Sequence, residues 1–129
     1  MDWKRFFESG AAARISAVWA ALAVGLGAFG AHGLKSVWLQ RPEGLEVWKT
    51  AVLYHLVHAV VMWVIGLQGG RAQPTAWVLM LAGTIGFSGS LYFLSTMGWR
   101  ALGPVTPGGG ALLLAGWGCL ALSPWRKDS

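Results

Sequence analysis

Acidic side chains are scarce in this sequence of 129 residues, which carries five: Asp2, Glu8, Glu43, Glu46 and Asp128. All lie outside the long apolar runs, so the intramembrane carboxylates typical of proton-coupled transport cannot be assembled from them. Cysteine is scarcer still. Cys119 stands alone inside an apolar run, which excludes an intramolecular disulfide and a paired-cysteine metal site and leaves the redox compartment unread. Charge of either sign reaches only 12% of residues, against about 25% in ordinary soluble domains. No repeat of fixed period, low-complexity tail or second domain interrupts the chain, which reads as one membrane domain over 1–129.

Apolar surface takes the place of charge: 55% of residues are hydrophobic and the mean hydropathy is +0.53. A bilayer is the solvent that suits such a chain. The ten Lys and Arg residues give a net charge of +5, scattered singly between apolar runs rather than gathered in a patch. That distribution argues against nucleic acid as a partner and for side chains that snorkel to membrane lipid headgroups.

Four apolar runs, over about 15–33, 48–67, 75–97 and 107–122, compare with the roughly 20 residues that span hydrocarbon. The connections "LKSVWLQRPEGLEV", "QGGRAQP" and "GWRALGPVTP" hold the charge, proline and glycine of turns. Connections this short predict an all-α integral membrane four-helix bundle with up-down topology. A cleaved signal peptide competes for the first run, because Lys4, Arg5 and Arg14 precede it. The run exceeds the roughly 7–15 apolar residues of a signal core and no clean A-x-A site follows, so a retained span is expected. Lys4, Arg5, Arg14, Arg71, Arg126 and Lys127 then share the face of the termini, against Lys35, Arg41, Lys49 and Arg100 on the other. This bias predicts cytoplasmic termini. Trp19, Trp63, Trp77, Trp117 and Trp125 toward the terminal face, and Trp38, Trp48 and Trp99 toward the other, read as interfacial anchors.

The stretch "GLGAFGAHGLK" (25–35) satisfies G-x-G-x-x-G, yet it lies within a spanning run rather than between a strand and a helix, so a dinucleotide loop is not expected. Helical spacing says more. Ala17, Ala21, Gly25, Ala28 and His32 recur at intervals of four and three, and Gly108, Ala111, Ala115 and Gly118 repeat the device. Such stripes predict close helix packing where lipid removes the usual hydrophobic drive for association.

Polar residues inside the runs are fewer and more telling. Tyr54 and His58 share a face with His55 beside them, and Thr84, Ser88, Tyr92 and Ser95 form a stripe on the third run. Hydroxyls can return to their own helix carbonyls, whereas histidine within a span faces the bundle interior or a wet cavity. At about 1.5 Å per residue these groups fall at compatible depths below one membrane face, with His32, Lys35, Arg100 and Thr106 at its rim. "GPVTPGGG" places Thr106 at an N-cap and Pro107 at the first helical position, leaving N–H groups toward that rim. The expected ligand-facing set is therefore His32, Tyr54, His58, Ser88, Tyr92, Arg100 and Thr106.

"GAFGAHGL" (27–34), Tyr54 with His58-Ala59, "FSGSLY" (87–92) and "TPGGG" (106–110) together resemble the small membrane family catalogued as domain of unknown function 423. The resemblance runs in order over about residues 11–122 of this chain. It implies a four-helix membrane protein, with bacterial inner-membrane members and a small eukaryotic transmembrane relative, and it implies no activity. It also makes His58 a firmer site residue than His55.

Three function classes follow. The first is a non-enzymatic membrane protein whose interior polar cluster binds a lipid headgroup or small ligand, or which packs against a second copy or a larger membrane complex. The second is a metal or haem site on His32, His55 and His58, although no cofactor is expected without in-span carboxylates or a cysteine pair. The third is a small-solute transporter or channel, for which repeats and broken helices are missing. Hydrolysis by Ser88 or Ser90 with His58 lacks an acidic orienter, so no catalytic residue is expected.

Overall fold

A computed structural model describes residues 1–124, and every described segment of regular structure is helical. Trp125, Arg126, Lys127 and Asp128, which enter the anchor and charge counts above, lie outside the described residues. Helix α1 (Trp3–Glu8) is followed by α2 (Ala11–His32), α3 (Lys35–Gln40) and α4 (Gly44–Gly66). The third run is divided: α5 (Pro74–Thr84) continues through a π turn at Ile85–Gly89 into α6 (Ser90–Met97). Helix α7 spans Val105–Ala121. Three of these segments, Ala11–His32, Gly44–Gly66 and Pro74–Met97, are long and apolar enough to cross a membrane.

Local chemistry sets the boundaries. Asp2 caps α1 by accepting from the Arg5 N–H at 3.2 Å, and Gly10, at φ 79°, turns the chain into α2. Pro74 begins α5 at a position that needs no donor, behind an extended Gln73, as the residue before proline should be. Gly98, at φ 66°, closes α6 in the left-handed conformation that favours glycine. Thr106 is not an N-cap. Helix α7 begins a residue earlier, at Val105, so Thr106 and Pro107 both sit inside its first turn.

Pairs of helices approach closely at glycines. Helices α2 and α4 run antiparallel: Gly30 lies against Trp48, Gly27 against Val52, and the Ala12–Ala13 backbone against Gly66. The third segment meets α7 in the same sense, with Gly83 against Leu113, Gly86 against Gly109 and Met80 against Gly116. These contacts correct both expected stripes. Ala17, Ala21, Gly25, Ala28 and His32 are exposed on the outer face of α2, as are Gly108, Ala111 and Ala115 on α7. A Cβ added at Gly25, Gly108 or Gly118 would meet nothing within 4 Å. The inward faces are instead Ala12, Ser16, Ala23 and Gly30 on α2, and Gly109, Leu113 and Gly116 on α7. Small residues surround both helices, so their spacing gave the period and not the phase.

The interior changes character along its axis. Phe7, Met62, Ile65, Trp77, Met80 and Leu113 form an apolar core at the end nearest the termini. There α1 lays Phe6 and Phe7 edge-on to Trp77, at centroid distances of 5.5 and 6.0 Å. The middle carries polar contacts, and the far end opens into a cleft beneath α3.

Candidate functional site

His58 is the most completely bonded of the interior polar residues. Its Nδ1–H donates to the Tyr54 carbonyl of its own helix at 2.7 Å, and its Nε2 accepts from the Trp117 indole N–H on α7 at 3.1 Å. Both nitrogens are thereby used, which selects the neutral Nδ1–H tautomer and leaves no lone pair for a metal. Ser88, which the π turn directs toward α4, donates to the Ala51 carbonyl at 2.8 Å. His58 and Ser88 thus serve different interhelical contacts, and no serine–histidine nucleophile pair exists between them.

A second group surrounds His55, which the sequence ranked below His58. Its Nδ1 lies 2.9 Å from the Tyr92 hydroxyl, and the Trp19 ring covers it at a centroid distance of 4.2 Å. His55 is 1% exposed and its Nε2 has no hydrogen-bond partner. The Trp19 indole reaches past it to donate to Thr84 Oγ1 at 3.0 Å, and Trp77 donates to Ser16 Oγ at 3.0 Å. Thr84 and Ser16 in turn donate to the helix carbonyls of Met80 and Ala12.

Of the seven expected ligand-facing residues, the structure therefore gathers Tyr54, His58, Ser88 and Tyr92 around α4, in separate contacts rather than one pocket. Tyr54 is half-exposed and faces outward with its ring against Phe87. His32 and Arg100 are exposed at the rim and join none of these contacts. Thr106 is bonded to Ser90 at 2.6 Å, between α6 and α7. The three histidines do not converge: among the described residues no group of three or more His, Cys, Asp or Glu side chains could hold a metal ion.

Tryptophan is what the sequence reading missed. Trp19, Trp77 and the half-exposed Trp117 are donors that tie helices together, and Trp48 and Trp38 donate to the Leu26 and Gly30 carbonyls of α2 at 2.9 and 2.7 Å. The interfacial-anchor reading is thus corrected for Trp19, Trp38, Trp48 and Trp77, which are buried or half-buried, because an indole has an apolar body and one donor that must be met when buried. A signal was present: the glycine-rich end of α2 leaves carbonyls unshielded, and Trp48 lies more than a turn inside α4.

Beneath α3 the same end of the molecule opens into a cleft of about 860 Å³. Gly27, Gly30 and Ala31 of α2 form one wall, and Val52, Leu53 and Leu56 of α4 the other. Trp48, buried, and Trp38, half-buried, line it as well, together with the exposed Lys35 and Lys49. The walls are apolar because the Trp38 and Trp48 N–H groups are already spent on α2 carbonyls. The volume lies within the roughly 300–1,000 Å³ of small-molecule sites.

Residues 26–110 match the family model described as "Protein of unknown function (DUF423)". The chain is similar to the UPF0382 membrane protein YwdK of Bacillus subtilis, 45% identical over 109 residues that cover 80% of this chain and 86% of that protein. It is 39% identical to a UPF0382 membrane protein of Staphylococcus epidermidis over 84% of this chain and 90% of the relative. A UPF0382 membrane protein of Schizosaccharomyces pombe is 36% identical over 80% of this chain and 92% of the relative. No solved structure matches the chain to a significant degree.

Proposed function

The chain belongs to the DUF423 family of membrane proteins, and on that premise we propose a non-enzymatic protein of four membrane crossings that holds the hydrocarbon part of a lipid in the cleft beneath α3. One observation carries the reading: an apolar cleft of about 860 Å³ is lined by the exposed Ala31, Leu39 and Leu53 and by two indoles whose polar atoms are satisfied. An aqueous solute would find no hydrogen-bond partner on such walls, whereas an acyl chain needs none. The interior His, Tyr and Ser residues serve in this reading to fix which helices meet and in what register, since their bonds are largely made within the protein.

Helix α7 supplies the fourth crossing and completes an up-down bundle. Its 17 residues extend about 25 Å at the helical rise, and they lie along the third segment from Gly86 to Met80. We place the termini on the cytoplasmic side of a bacterial inner membrane, on the strength of the charge bias between the two sets of loops.

A photoreactive phenylalanine analogue at position 53 tests the cleft, with one at position 114 as its counterpart. Leu53 lines the cleft; Leu114 is 74% exposed on α7 and faces away from it. After purification in mild detergent, irradiation should attach a lipid at position 53 and none at 114. No lipid at 53, or equal labelling at both, would count against a retained lipid.

A further inference from the structure

We propose that the lipid in this cleft carries a net negative headgroup, held by Lys35 and Lys49; the proposal rests on the cleft reading above and adds the headgroup class. Two exposed cations line an otherwise apolar cleft, and no carboxylate lines it. Lys35, in the first turn of α3, is exposed and makes no ion pair among the described residues. Lys49, on α4, has a side chain 61% exposed and pairs with Glu46 at 3.0 Å. That exposed i,i+3 pair holds the ammonium weakly, so a phosphate can share it without breaking a buried contact.

The arrangement follows the shape of a phospholipid. From Lys49 to Leu56 the α4 wall descends about 10 Å at the helical rise, so acyl carbons lie against Val52, Leu53 and Leu56 while a phosphate stays level with the ammonium groups. Lysines reach that level by laying their methylenes along apolar surface and keeping the charge at the interface. A zwitterionic headgroup would bring its own cation to the same two ammonium groups. A headgroup of net charge −1 brings none, and each lysine near an anionic lipid surface favours it by about fivefold.

The test exchanges the full-length protein into vesicles of equimolar phosphatidylglycerol and phosphatidylcholine of distinguishable acyl mass. Native mass spectrometry then reads the ratio of the two adducts. Wild type should retain phosphatidylglycerol in preference, Lys35→Gln with Lys49→Gln should lower that preference about fivefold per lysine, and the Lys→Arg pair should keep it. Equal retention of the two lipids by wild type, or a preference unchanged in the Gln pair, overturns the headgroup assignment while leaving the cleft as a lipid site. Absence of any lipid adduct on wild type overturns the cleft reading and the headgroup assignment together.

Discussion

His58 shows how a residue can be singled out correctly in a sequence and still be given the wrong partners. Its position on α4 and the cost of leaving an imidazole bare in hydrocarbon mark it as interior, and it is 5% exposed. Its hydrogen bonds go to a backbone carbonyl and to Trp117, a residue that reads equally well as a membrane-interface anchor. Trp117→Phe keeps most of the ring and removes the donor to Nε2. An interhelical hydrogen bond in a membrane protein averages about 0.6 kcal/mol and reaches about 1.7, so thermal unfolding in detergent should show a loss in that range. A nitrogen-15 spectrum of the folded protein should report His58 as the Nδ1–H tautomer. Finding the proton on Nε2 would contradict the bond to Tyr54.

Helix α2 shows what limits legibility at the scale of an element. The sequence located all four long helices to within a few residues, because uninterrupted apolar length is a strong signal. It did not locate their inner faces. Ala and Gly occur all round α2 and α7, and in lipid an outward-facing side chain is as apolar as an inward-facing one, so polarity cannot set the phase. The third run behaved differently: Thr84, Ser88 and Ser95 are all buried, as their hydroxyls required. The short helices α1 and α3 fall below any length signal, and the α3 segment reads in the sequence as part of a connection.

Because the packing face of α2 carries Gly30 and its outer face Gly25, the two glycines should respond oppositely to added volume. A side chain at position 30 would occupy the space of the Trp48 indole, and overpacking of this kind costs about 1–3 kcal/mol. Gly30→Leu should therefore lower the unfolding temperature, while Gly25→Leu leaves it nearly unchanged. Gly109→Ala should be as damaging as Gly30→Leu, since its methyl would fall on the backbone of Phe87 at the π turn, and Gly108→Ala should be tolerated. Equal tolerance at positions 25 and 30 would show that the α2 face is misassigned.

At the scale of the whole molecule, composition alone indicated a bilayer, and the resemblance carried by "GAFGAHGL" and "FSGSLY" indicated the family, which the match over residues 26–110 shows. The cleft was not legible, because it is made where α3, an element too short to be noticed, covers the separation between two longer helices. Topology is the prediction at this scale. A reporter active only in the cytoplasm should work when fused after residue 124 or inserted in the 68–73 connection, and fail in the 98–103 connection. Activity in the 68–73 connection with none after residue 124 would remove the crossing by α7.

If the interior polar contacts set stability and the cleft retains lipid, the most direct measurement reads both quantities on two variants. Trp117→Phe touches the interior network, and Ala31→Trp fills the cleft from its exposed α2 wall. Each purified protein is melted in the same detergent, and its bound lipid is counted by native mass spectrometry before melting. The prediction is a crossed result: Trp117→Phe melts earlier and keeps its lipid, while Ala31→Trp melts near wild type once both are stripped of lipid and retains none. Loss of lipid from Trp117→Phe with an unchanged melting temperature, together with full retention by Ala31→Trp, would return the binding site to the interior cluster and contradict the account.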